Sequence, residues 1–170
     1  MKLKKLLSQK KSEIIQKWID GILGTYPADT YQIFKKSGDQ FANPVGTTLS
    51  REIAELTSII LEEEIDYNSV KKHLDTVIRI RAIQAFSPSQ AIGFILLLKE
   101  IIKNILKAQD INLDELLLLY SQIDKLCLIG FDIYTECREK LFDIRVSEIK
   151  NKSFGALKRA GLVSEVLEDV

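Results

Sequence analysis

Proline and glycine are scarce in this chain, with three and eight among 170 residues. So few breakers starve a β-protein of turns, and the composition favours helices. There is one histidine, His73. Zinc sites want three or four His or Cys ligands and a di-iron bundle wants paired Glu-x-x-His, so a resident metal is not expected. With a single histidine no Ser-His-Asp or Cys-His arrangement is expected, and no glycines cluster at phosphate-gripping G-x-G-x-x-G spacing. The expectation is no enzyme, no catalytic residues and no cofactor. Lys+Arg and Asp+Glu number 24 each, so no overall field recruits nucleic acid. Two cysteines make no disulfide framework. The longest apolar run, residues 91–98 broken only by Gly93, is far short of the ~20 residues of a membrane span. The basic start MKLKKLLSQKK has polar residues after Leu6 and Leu7, so it contains no secretory h-region and reads as a solvated helix face. The expected location is the cytoplasm.

What is abundant is Leu, Ile, Lys and Glu at helical spacing. Length and apolar content suit one domain with a real core. A first helix is expected over about 3–23, with Leu7, Ile14, Trp18 and Ile22 inward and Lys10 and Lys11 interrupting the stripe. A short helix follows at about 28–36. Asn43-Pro44 then reads as an N-cap with proline at the first helical position of a helix over about 44–63. The acidic run Glu62, Glu63, Glu64 and Asp66 is expected to be a solvated helix end. The fourth helix spans about 67–86, with Val70, Leu74, Val77, Ile78, Arg81 and Ala85 inward, Arg79 outward and His73 at the edge. Ser87-Pro88-Ser89-Gln90 is a capping box. The helix it opens, to about 108, is apolar on nearly every side at first and is expected to be buried centrally.

A second capping box, Asn112-Leu113-Asp114-Glu115, opens a long helical pattern without a stop before Asn151. Tyr120, Ile123, Cys127, Gly130, Tyr134, Cys137, Leu141 and Ile144 recur at heptad spacing. A 36-residue helix is ~54 Å long, against a radius of gyration of ~15 Å for a compact chain of this size. Such a helix must kink or project, and its seam is expected to pair with a second copy. Cys127 and Cys137 are ~15 Å apart along that helix and cannot bond to each other within it. The tail 151–170 is expected to fold back as a small helix. The domain division is thus 1–150 and 151–170.

Arg81 is the one position where chemistry is open. A buried guanidinium wants a carboxylate, and Asp39 or Asp75 is placed to supply one. Alternatively Arg81, with Phe86 and Phe94, floors a pocket for the anionic head of a ligand with an apolar tail.

The words 25-TYP, 39-DQFANPVG-46 and 79-RIRAIQAFSPSQAIGFILLLKEII-102 occur together in this order. Over roughly residues 12–150 the chain resembles the N-terminal sensor domain of RsbRD-type RsbT co-antagonists, the stressosome family. The resemblance implies an all-α, haem-free, globin-like bundle of about six helices, dimeric and without enzymatic activity. Only about twenty residues follow the long helix, so the family's phosphorylated STAS domain and its kinase binding cannot be carried over. The resulting expectation is a cytoplasmic regulatory sensor that dimerises and passes a signal through its long C-terminal helix to an unidentified regulatory protein. The rival readings are a carrier, without signalling, of an apolar small molecule like the fatty-acyl chain that some haem-free globin sensors bind, and a scaffold subunit of a larger complex.

Overall fold

The structure, a computed structural model, describes residues 2–36, 43–107 and 111–162. Among these residues all regular structure is helical, in the order α1 (Lys2–Gln9), α2 (Lys11–Leu23), α3 (Ala28–Lys36), α4 (Pro44–Leu61), α5 (Tyr67–Ile83), α6 (Pro88–Leu106) and α7 (Leu113–Arg159). The fold is an all-α bundle with a long C-terminal helix.

The chain divides into two compact units, Met1–Thr135 and Glu136–Val170. In the first, α2 packs on α4 and α6, and α5 packs on α4 and α6, which closes a ring of four helices; α1 and α3 attach to α4. Their apolar stripes meet in a core around Trp18, Ile53, Leu56, Leu74, Ile78 and Ile95, all fully buried. Trp18 also satisfies its indole, donating Nε1–H to the Phe94 carbonyl at 2.7 Å. The α7 segment in this unit lies over α5 and α6 at Gly130, where an added Cβ would stand 3.0 Å from Ile95 Cδ1 and 3.1 Å from Ile78 Cδ1.

The helix-start grammar holds at two points. Asn43 Oδ1 accepts from the Gly46 amide at 2.8 Å, and its Nδ2 donates to the Phe34 carbonyl, joining the end of α3 to the start of α4. Ser87 and Gln90 make the reciprocal capping box. Asp66 caps α5, while Glu62, Glu63 and Glu64 are exposed beyond the end of α4.

Four expectations are corrected. The first helix is two helices, because the chain bends at Lys10, the point where two lysines interrupt the apolar stripe. The bend lets α1 bury Leu3, Leu7 and even Lys4, whose ammonium donates to the Glu62 carbonyl at the α4 terminus. The second capping box is only half made. Asn112 caps α7, but the Glu115 carboxylate instead accepts from the Lys2 and Leu3 amides at the start of α1. Helix α6 is not covered all round, since Leu96 is 48% exposed and Gly93 has open space beside it. The last correction concerns the tail. Instead of folding back at 151, α7 continues to Arg159 and ends at Gly161, whose φ of 68° and the Leu162-to-Leu157 amide bond form a Schellman motif. In the second unit this helix exposes Phe142, Ile144, Ile149 and Phe154.

Candidate functional site

The structure brings Arg81, Phe86 and Phe94 together, and the means is the end of α5. That helix stops at Ile83, short of the expected 86, in a Schellman motif with Ala85 at the left-handed position, φ 62°. The Phe86 amide donates back to the Arg81 carbonyl at 3.2 Å. In such a motif the residues at these two positions make a side-chain contact. Here one of them is arginine, and Phe86 lies over the guanidinium with 4.2 Å from its carbon to the ring centroid. Tyr26 and Phe94 stand around the same group at 5.5 and 5.9 Å. An alanine held at positive φ is strained by ~1 kcal/mol or more.

Arg81 has no exposed surface. Its Nη2 donates to Thr25 Oγ1 at 3.0 Å and to the Gln90 carbonyl at 2.8 Å, both neutral acceptors. Among the described residues Nε and Nη1 have no hydrogen-bond partner. Burial pulls the Arg81 pKa down, with Tyr26 opposing, but a guanidinium stays charged at neutral pH. Of the two carboxylates expected to pair with it, Asp75 is bound to Arg79 at 2.6 Å, and Asp39 lies outside the described residues. Around this corner Tyr26 donates its hydroxyl to Gln84 Oε1 at 2.8 Å, and Tyr134 of α7 donates to the Phe86 carbonyl at 2.7 Å. Thr25, Tyr26 and the Gln90 carbonyl were not singled out as site residues by periodicity. The wording 25-TYP carried the only signal for Thr25 and Tyr26, while Gln90 was marked as part of the capping box and not as an acceptor for Arg81.

The expected dimer seam has a different use. Ile123 and Tyr134 are buried within the chain's own first unit, and Tyr120 donates to the Lys99 carbonyl of α6 at 3.2 Å. Cys137 is buried, and Cys127 and Leu141 are half-buried. A heptad stripe marks a packed face without saying what it packs against, and from Ile123 to Tyr134 it packs inside the first unit, whereas Ile144 of the second unit is exposed. The opposite face of α7 in this unit exposes Leu117, Leu128 and Phe131, at 55%, 68% and 54%. Both cysteines are free thiols. Burial, with Asp124 nearby and Lys99 opposing, pushes Cys127 up to about 11, which makes it a poor nucleophile.

His73 turns its Nδ1 to Glu52 Oε2 at 2.6 Å, and Arg51 holds the other oxygen of that carboxylate at 2.7 Å. Among the described residues no group of three or more His, Cys, Asp or Glu side chains could hold a metal, and no helix is long and apolar enough to cross a membrane. An open pocket of about 700 Å³ lies away from Arg81, between α1 and the start of α7, with Leu3, Leu6 and Ile111 in its wall.

The corner around Arg81 is built by the same residues, 25–26 and 79–94, that carry the distinctive wording of the sequence. The model of the RsbT co-antagonist protein RsbRD N-terminal domain matches residues 12–149. The chain belongs to this family. RsbRD N-terminal domains are stressosome-type regulatory sensor domains. Neither a curated protein nor a solved structure matches the chain.

Proposed function

We propose that this RsbRD N-terminal domain is a cytoplasmic, non-enzymatic sensor module that works as a homodimer and hands its signal through α7 to a regulatory protein. The observation that carries the reading is the outward face of α7. Leu117, Leu128 and Phe131 fall within an arc of roughly 60° on a straight helix, and all three are exposed. Exposed Leu96 of α6 is one turn from Lys99, which pairs with Asp124 of α7 at 2.6 Å, so it borders the same face. Four large apolar groups on one face favour a self-complementary contact about a two-fold axis. Gly93, one turn before Leu96, supports the same occupant. A glycine inside a helix weakens it by ~0.5–1 kcal/mol, and among the described residues no close neighbour needs one there. A second copy crossing at that point does.

Burying eight such side chains at ~1.5 kcal/mol each gives ~12 kcal/mol, set against an association cost of ~4–15 kcal/mol. A reversible dimer is the expected balance. Leu128→Glu and Phe131→Glu should each stay folded and weaken dimerisation at least about 100-fold, read by sedimentation equilibrium. Ile123→Glu should instead destabilise the fold, since that residue is fully buried. Outer-face variants that sediment as the unaltered dimer, or an unaltered chain that is monomeric at high concentration, would refute the reading.

A further inference from the structure

We infer that Arg81 is the binding group of a ligand site, and that its ligand is a compact monovalent carboxylate. This deepens the sensor reading by naming the input, and it rests on that reading only for its consequence.

The charge argument comes first. A guanidinium with no exposed surface, two neutral acceptors and two nitrogens, Nε and Nη1, whose three N–H bonds lack a partner is a buried positive charge without a counter-charge among the described residues. An uncompensated buried charge costs several kcal/mol. Helix α5 could have closed its Schellman motif on a leucine at no such cost, because the motif asks only for an apolar contact there. The surroundings then select the ligand. There is one cation, so one negative charge balances it, and a phosphate dianion would leave a buried negative charge in place of the positive one. Carboxylate oxygens match the guanidinium's donor geometry. The walls are the rings of Tyr26, Phe86 and Phe94, which suit a short apolar body next to the charged head.

The site is fixed on three sides and loose on one. Thr25 donates its own hydroxyl to the Ile22 carbonyl at 2.7 Å, which leaves its oxygen lone pairs to Arg81. The Gln90 carbonyl belongs to the capped first turn of α6. Arg81 lies just beneath a rim of exposed residues, Thr25, Gln84 and Gln90, with half-buried Phe86 over the guanidinium. Displacing the Phe86 ring opens the charge to the rim, and the strained Ala85 before it is where the backbone gives. Phe86 also carries the link outward, since its carbonyl accepts from Tyr134 of α7. A ligand that moves Phe86 therefore pulls on the helix whose outer face is assigned to the partner copy.

The test is a titration of the intact chain with sodium acetate, sodium butyrate and sodium chloride at constant ionic strength. Binding is read by thermal unfolding and by the Arg81 Nε–H resonance, assigned by its loss in Arg81→Lys. At a hundredfold excess over Kd, acetate or butyrate should raise Tm by roughly 5–10 °C and shift that resonance saturably. Arg81→Met should lose both responses. Thr25→Val keeps the charge and covers the case in which Arg81→Met fails to fold; it should weaken binding several-fold. A carboxylate response undiminished in Arg81→Met, no saturable shift in the unaltered chain, or protection by chloride alone would each overturn the assignment. Binding that leaves the dimer's Kd unchanged keeps the site and refutes its use as the input.

Discussion

At the scale of single residues, the polar groups in the core differ in how they are satisfied. Lys4 is buried yet bonded to a helix-terminal carbonyl, and burial pulls its pKa down against Glu63 and Glu62. Glu52 is buried at 6% exposure between Arg51 and His73. Burial alone would raise its pKa, but the hydrogen bonds from His73 and Arg51 outweigh that and hold it below 4.5. A carboxyl depressed in the folded state adds stability above its unfolded pKa and loses it as pH falls through the folded one. The stability difference between the natural chain and Glu52→Gln, measured by urea unfolding, should therefore be largest near pH 7. It should shrink as the pH drops below 4.5, the ordinary value for this group. An unchanged difference at pH 3 would show that the pair carries no charge-dependent stability. Arg81 departs from this pattern of satisfaction, as the buried Gln122 Oε1 also does, and the Arg81 position follows from a backbone motif at the end of α5.

At the scale of elements, two helices carry apolar residues on more than one face. Helix α6 sends Phe94, Ile95, Leu98 and Ile102 into the core and leaves Leu96 outside. Helix α7 splits its apolar residues between an inward stripe and an outward one, so its overall amphipathicity is slight. On the inward stripe, Gly130 faces Ile78 of α5 and Ile95 of α6. Gly130→Leu should lower stability by about 2–3 kcal/mol and Tm by roughly 5–10 °C, because the methyl groups of Ile78 and Ile95 already border the added Cβ. Gly130→Ala should cost far less, since its gain in helix propensity offsets the tight contact. Equal thermal stability of the Leu variant and the natural chain would contradict this docking of α7.

At the scale of the whole molecule, opposite charges balance at 24 each, and the surface assigned to dimerisation is largely apolar, with its Lys99 and Asp124 already paired to each other. Association driven by apolar burial has little salt dependence, whereas charge-driven association weakens as the Debye length shortens. The dimer's Kd should change less than about threefold between 50 and 500 mM sodium chloride; a loss of tenfold or more would place charged groups at the interface. The same division between local and global causes explains what could be read in advance. Helix positions, the Asn43 and Ser87 caps, the outward Arg79 and the inward Arg81 were legible in the sequence, because spacing and capping are properties of a few neighbouring residues. The family was legible too, since the words around Arg81 are too specific for general helical grammar. Three things were decided only by tertiary structure: the α1–α2 bend that buries Lys4, the inward use of the Tyr120–Tyr134 stripe, and the partners of Arg81. Each depends on what stands opposite a side chain. Periodicity reports that a face is apolar; only the packed neighbours decide whether it meets its own chain or remains for another, and whether a buried charge finds an acceptor.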